Sequence, residues 1–202
     1  GLPFVDCNCE IGTRASRHPA EPWRLEQYKD DFDYYDIQAA GVYHAVAHEY
    51  SADYGNRRLM REIGDDLSLI PQWVLLPHHT GEMPPAPELV EEMLSLGVRS
   101  ARIFPSFHRY GTEPYILNPL FTELERHRIP LFINIAELGS LKDAVEICRR
   151  HPRMPLVVCG VSWGSDRQLY PALSLAPNMY IETWAHQGHR AYERFVREFG
   201  DD

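Results

Sequence analysis

Leu131-Phe132-Ile133-Asn134-Ile135 and Leu156-Val157-Val158-Cys159 decide the fold class. Both runs are apolar on alternate and on successive residues, whereas a strand with one wet face would alternate between apolar and polar. Such strands are buried on both sides, as parallel strands sandwiched by helices are. Between the two runs Ser140 reads as the N-cap of an amphipathic helix over 141–150, which stops before Pro152. The residue before a proline avoids helical geometry, so the stop is well marked. Strand, helix and strand in this order form a βαβ unit with a right-handed crossover.

The same alternation extends outward in both directions. Further strands are expected at 3–7, 43–48, 69–75, 100–104 and 179–183. Helices are expected at 32–40, 56–63 and 86–96, ended by Gly41, Gly64 and Gly97, since glycine suits the residue just past a helix. Asn118-Pro119 reads as an N-cap and first-turn proline for a helix over 120–127. Ser165 or Asp166 opens a helix through Leu175 with Pro171 as a kink, and 192–199 closes the series at Gly200. From the second strand on, strand starts recur about every 24–31 residues, a spacing that suits repeated βα units. Residues 11–31 form a long polar connection with Pro19 and Pro22, expected to cover one end of the fold.

An open doubly wound sheet would carry a glycine-rich phosphate turn after its first strand. Here that turn reads Asp6-Cys7-Asn8-Cys9-Glu10-Ile11-Gly12, which cannot cradle a phosphate. The fold class is therefore α/β, a TIM-like (β/α) barrel with seven visible βα units and the eighth strand missing. One domain over 1–202, C-terminally incomplete, is the expected organisation.

Composition narrows the function. The 202 residues have a net charge of −9 and no basic tract longer than a pair such as Arg57-Arg58, which excludes a nucleic-acid partner that needs clustered Lys and Arg. No run approaches the ~20 apolar residues of a membrane span, so no membrane partner is expected. The N-terminus lacks the charged and apolar regions of a signal peptide. The four cysteines, Cys7, Cys9, Cys148 and Cys159, are too sparse for a disulfide framework. Reduced thiols in a cytoplasmic protein follow. A nucleophilic role for Cys7 or Cys9 is disfavoured because no cationic residue stands nearby in sequence.

The chain resembles the amidohydrolase-related branch of the metal-dependent hydrolase superfamily. The resemblance rests on an ordered series: Phe4-Val5-Asp6-Cys7-Asn8-Cys9-Glu10-Ile11-Gly12, Gly55-Asn56, Gly97-Val98-Arg99-Ser100-Ala101-Arg102-Ile103-Phe104-Pro105, Ile129-Pro130-Leu131-Phe132-Ile133, His151-Pro152 before Leu156-Val157-Val158, and Asn178-Met179-Tyr180-Ile181-Glu182-Thr183. It implies a (β/α)8 barrel and a hydrolase or decarboxylase. The substrate would be a small polar or carboxylate-bearing molecule at the C-terminal mouth. It also implies histidine metal ligands on strands one, five and six, and an aspartate on strand eight. This sequence places Asn8 and Glu10, Asn134 and the neighbourhood of Gly160 at the histidine positions. An Asn-x-Glu pair supplies only oxygen, which suits Mg²⁺, Ca²⁺ or Mn²⁺ better than Zn²⁺.

The expected site follows from both lines of reading. Alternation along the first strand places Asp6, Asn8 and Glu10 on one inward face, with Asn8 and Glu10 the metal ligands. Glu10 is also the candidate general base, with Glu182 or His186 carrying a proton. Arg102 is a carboxylate clamp or the partner of Glu10 or Glu182 in a buried ion pair. His48, Asn134 and Trp163 complete the substrate-binding set. His186 and His189 share a face if their segment is helical, whereas His78 and His79 cannot both face one point in an extended strand. One divalent ion, Mg, Mn or Zn, is the cofactor of the enzyme reading. The alternative is a degenerate barrel without metal, acting as a ligand-binding or interaction protein. A small molecule is the partner in the enzyme reading, and a homodimer paired through helices is the assembly that the resemblance implies.

Overall fold

A computed structural model describes residues 4–15 and 24–200. Two compact units divide the chain, Gly1–Arg102 and Ile103–Asp202. Strand order follows chain order within each unit, and the pairs there are parallel. The α/β, TIM-barrel-like class read from the two-sided apolar runs is the observed one. No helix among the described residues is long and apolar enough to cross a membrane.

The first unit contains strands β1 (Phe4–Ile11), β2 (Ile37–His44), β3 (Leu69–Val74) and β4 (Ser100–Arg102). Helices α1 (Leu25–Tyr35), α2 (Ala45–Glu49), α3 (Ala52–Ile63) and α4 (Ala86–Ser95) lie between them, with a 3-10 turn at His78–Thr80. Ala40, Val42, Leu59, Val74, Val90 and Met93 are fully buried, and burial of each larger apolar side chain contributes about 1.5–3 kcal/mol.

The second strand departs most from expectation. The alanines at 39 and 40 favour helix by propensity, and the sequence predicts a helix over 32–40 and a strand over 43–48. Instead α1 ends one residue before Asp36, which takes a left-handed conformation (φ 57°), and β2 runs through the alanines to His44. Close strand packing overrides propensity here. A Cβ on Gly41 would lie 2.7 Å from the Gln72 side chain and 3.3 Å from the Cys7 carbonyl, so the strand needs glycine. Residues 16–23 of the predicted covering connection lie outside the described residues; its later part forms α1.

Residues 45–48, expected as strand, fall in α2, which runs from Ala45 to Glu49. The His44 ring accepts a hydrogen bond from the Val46 amide (3.0 Å) and caps this helix. Helix α3 packs closely on α2: a Cβ on Gly55 would lie 2.1 Å from the Ala47 backbone nitrogen. Next to it, buried Asn56 donates to the Val74 carbonyl (2.8 Å) and accepts from the Val74 amide (2.9 Å). The Gly55-Asn56 pair thus fastens α3 to both α2 and β3.

The second unit contains α5 (Pro114–Arg126), β5 (Leu131–Asn134), α6 (Ile135–Leu138), α7 (Leu141–Arg150), β6 (Leu156–Cys159), α8 (Asp166–Leu175), β7 (Met179–Ile181) and α9 (Ala191–Phe199). Ser140 caps α7 as expected, accepting from the Asp143 amide at 3.2 Å. Helix α5 starts earlier than the Asn118-Pro119 reading, at Pro114, and carries Pro119 inside it. Pro119 is the sixth residue of α5, past the first turn, so the helix forgoes the one backbone bond that an N–H here would give to the Tyr115 carbonyl. Leu117, Leu124, Leu131, Ile133, Leu156, Val158 and Leu169 are fully buried.

Candidate functional site

Parallel register places a row of polar side chains across the first unit. Glu10 on β1 is the Cα partner of Tyr43 on β2, so their side chains emerge from the same face. The Tyr43 hydroxyl hydrogen-bonds the Glu10 carboxylate. Gln72 on β3 donates to the Cys7 carbonyl (2.9 Å) and accepts two bonds from Arg102 of β4, 3.2 Å from Nε and 3.1 Å from Nη2. The Arg102 guanidinium lies 4.4 Å from the centre of the Tyr43 ring, a cation–π distance.

Helix α2 and the loop after β1 complete the cluster. His48 sets its Nδ1 3.2 Å from one Glu10 oxygen, and Arg14 pairs with the other. Tyr28 donates to the Glu10 backbone carbonyl (2.5 Å), and Glu49 accepts from the Ala15 amide (2.5 Å). The Glu10 side chain is only 6% exposed, while His48 keeps 21%. The cluster therefore consists of a buried anion capped by an accessible imidazole and an accessible guanidinium.

Opposing effects set the charge of Glu10. Burial alone would raise its pKa, but hydrogen bonds to His48 and Arg14 and the Arg14 charge outweigh it and hold the carboxyl below its ordinary range. Tyr43 is pushed upward, first by burial and then by the Glu10 charge, with Arg102 partly opposing, so it stays a hydrogen-bond donor. Burial, followed by the charges of Asp6, Glu10 and Asp31, pushes the Cys9 thiol up to about 12. A thiol held that high is no nucleophile at neutral pH.

Several site expectations need correction. Asp6, Asn8 and Glu10 do not keep strict alternation: Asp6 pairs with Ala40 and Cys9 with Val42, so β1 carries an extra residue between them. The Asn8 amide turns back to the Asp6 carboxylate (2.9 Å) inside this bulge. Arg102, expected as a clamp or in a buried ion pair, is 2% exposed and contacts Gln72 and Tyr43. His186 and His189 lie in a looped segment, the first buried and the second exposed, so they share no helical face. His78 and His79 sit in a 3-10 turn with ring centres 4.4 Å apart, not in an extended strand.

The remaining candidates lie in the second unit. The Asn134 side-chain oxygen caps α6, accepting from the Ala136 amide (2.9 Å). Trp163 is exposed at the start of a 3-10 turn. Glu182 accepts from the Trp184 amide (2.6 Å). His186 is fully buried, with Nε2 2.6 Å from Asp166 and Arg194 3.5 Å from the other Asp166 oxygen.

The donors do not suit the metal that the resemblance implies. Both Glu10 oxygens face cationic or imidazole partners, Asn8 lies in a bulge, and the Asn134 oxygen is spent as a helix cap. Among the described residues no group of three or more His, Cys, Asp or Glu side chains is placed to hold an ion. Sequence reading missed Tyr43, Gln72 and Arg14. The partnership of Tyr43 with Glu10 becomes visible only once β2 is known to start at Ile37.

Known structures match the chain across almost its whole length. A 5-carboxyvanillate decarboxylase from Sphingomonas paucimobilis aligns with a TM-score of 0.67 at 13% identity, covering 99% of this chain and 86% of that one. An amidohydrolase 2 from Bifidobacterium longum subsp. infantis gives 0.66 at 12% identity, covering 99% and 81%. A TIM-barrel protein from Bordetella bronchiseptica gives 0.67 at 13%, covering 97% and 80%. The chain has the TIM-barrel fold of these proteins. At such low identity the likeness concerns fold, and chemistry must be argued from the site. No protein-family model matches the sequence, and no curated protein matches it.

Proposed function

We propose that the chain is an enzyme that removes a carboxyl group from a small carboxylate-bearing molecule at the carboxyl ends of β1 and β2, with His48 as proton donor. The observation that carries this reading is the 3.2 Å contact between accessible His48 and buried Glu10. A carboxylate behind an imidazole fixes the ring's orientation toward a ligand. Arg14, on the other side of Glu10 and about half exposed, supplies a charge that attracts an anionic substrate.

The donor set also selects among reactions. Metal-assisted hydrolysis requires ligands that activate water, and the residues described above do not form that set. Decarboxylation needs a proton donor and a substrate whose own π system can hold the electron pair: the bond from carbon to the carboxylate breaks, CO2 leaves, and the carbon takes the proton from His48. Solvent then recharges the imidazole. A decarboxylase among the solved structures of this fold provides precedent for the reaction class. A second reading, ligand binding without turnover, draws support from the pairing of Glu10 with Arg14, which leaves the carboxylate satisfied before any ligand arrives.

Release of CO2 from a panel of aromatic and aliphatic carboxylic acids tests the proposal, with and without a chelator. Turnover should survive the chelator and fall roughly 10²–10⁴-fold in His48→Ala, the usual contribution of a general acid. Saturable binding of the same acids with no CO2 release, weakened by Arg14→Ala, would establish the binding reading instead.

A further inference from the structure

Helix α2 is five residues long and carries His48, so whatever holds its first turn decides where that ring stands. So short a helix has too few internal bonds to stand alone, and its leading N–H groups need an acceptor from outside. Nδ1 of His44 is that acceptor for the Val46 amide, at 3.0 Å. His44 has the extended backbone of an N-cap residue (φ −101°, ψ 133°). The usual capping residues are Ser, Thr, Asp and Asn, whose oxygens go on accepting through mild acid. A capping histidine accepts only while its Nδ1 carries no proton.

The surroundings make proton uptake by this ring incompatible with the cap. The His44 side chain is wholly buried, with Nε2 3.3 Å from Glu62 of α3, which also pairs with Arg58 (2.6 Å). A neutral ring therefore carries its one proton on Nε2, toward Glu62, and leaves Nδ1 to accept from Val46. In the imidazolium both nitrogens donate, so an N–H would point at the Val46 N–H. Turning the ring over only brings the other N–H to the same place. Gly12, in the loop after β1, closes on the ring's edge: a Cβ there would lie 2.5 Å from His44 Cε1. Burial is the largest influence on the ring and holds its pKa below the ordinary 6.5. Among the charges, Glu62 and Glu10 oppose that shift and Arg58 reinforces it. Arg24 and Glu26, at the start of α1, line the same small cavity as Gly12 and Glu62.

We propose that His44 is a proton-operated latch on α2: its neutral ring holds the first turn and thereby positions His48 beside Glu10, and protonation of the ring releases both. The latch rests on the geometry of α2 and not on the reaction proposed for His48. Once the turn opens, the ring regains its ordinary pKa near 6.5, so acid favours the open state. The cap is fully present above about pH 6.5 and is lost as pH falls toward the depressed value of the capped ring.

Amide hydrogen exchange across 45–49 from pH 8 to 5, corrected for the chemical exchange rate, reads the latch whether or not the chain turns over a substrate. The Val46 amide of the wild type should lose about tenfold or more in protection between pH 7.5 and 5. The amide of Leu59, buried in α3, should keep its own. His44→Asn sets a side-chain oxygen near the place of Nδ1 and cannot titrate, so it should keep the protection of Val46 and abolish its pH dependence. Imidazole 15N spectra of the wild type should find the neutral His44 ring protonated on Nε2, a readout that needs no variant to fold. Level protection of Val46 from pH 8 to 5 would overturn the latch, and so would an equal loss at Leu59. The same acid loss in His44→Asn would assign the titration to another group, and a neutral ring protonated on Nδ1 would remove the cap itself; either result ends the proposal.

Discussion

The carboxylate–imidazole pairs Glu10–His48 and Asp166–His186, one in each unit, differ in one decisive respect. In the first unit His48 meets Glu10 at 3.2 Å with 21% of its side chain open. In the second His186 meets Asp166 at 2.6 Å with its side chain wholly covered. The Nδ1 of His186 is buried with no partner, so this ring has no path for passing a proton to a ligand. By residue type the two pairs are equivalent, and sequence reasoning gave the proton-carrying role to His186 and mere binding to His48. Access favours the reverse assignment: the open pair is suited to chemistry, and the closed pair fastens the loop before α9 to the start of α8.

The largest effect should come from the closed pair. His186→Ala removes a fully buried ring, leaves a cavity and strips Asp166 of its partner. The expected loss is about 3 kcal/mol of unfolding free energy. His48→Ala leaves Glu10 paired with Arg14 and Tyr43 and should cost under about 1 kcal/mol. Urea denaturation of the two variants checks the contrast, and equal losses would break it.

The open pair depends on a neighbour that makes no contact with the carboxylate. Gly55→Ala places a methyl group against the Ala47 backbone, which can yield only by moving α2. Overpacking of this kind costs typically 1–3 kcal/mol, and alanine's better helix propensity returns up to about 1 kcal/mol. With the overlap falling on backbone at 2.1 Å the upper end of that cost applies, so a net destabilisation of about 2 kcal/mol is expected. CO2 release should also drop, because His48 travels with α2. Thermal melts and turnover measured on the same variant test both halves. A variant destabilised but fully active would show that the position of His48 does not matter.

This dependence illustrates which parts of the molecule are legible in sequence. Buried parallel strands declare themselves through two-sided apolar runs, so 131–135 and 156–159 read as strands from residues alone, the first ending one residue early at Asn134. The helix caps at Ser140 and Gly64 are similarly local. Residues 37–40 were misplaced because alanine propensity is local, whereas the approach of Gly41 to Gln72 and Cys7 joins residues distant in sequence. The site fared less well for the same reason. Glu10, His48 and Arg102 were named individually from their positions at strand ends. Their actual partners, Tyr43, Gln72 and Arg14, depend on register, on a bulge and on a helix at 45–49, and none of these features has a local signature. Burial separated His48 from His186, and no pattern of neighbouring residues encodes it.

The smallest effect concerns the charge on Glu10 and sharpens the description of the open pair. Its pKa in the folded protein lies below the ordinary 4.5, so it binds protons more weakly folded than unfolded. The stabilisation from its pairing is therefore fully present above about pH 4.5 and is lost as pH falls through the folded value. Glu10→Gln removes the charge while nearly keeping the shape. With Arg14 about half exposed, solvent screening limits the loss to about 1 kcal/mol at neutral pH. On acidification the wild type should lose this advantage while the variant, which has no proton to take up at this position, does not, so the two stability curves converge below pH 4.5. Urea unfolding of both proteins at neutral and acidic pH measures the convergence. A gap of constant size would mean that shape and not charge joins Glu10 to His48 and Arg14, and the open pair would then be structural like its closed counterpart.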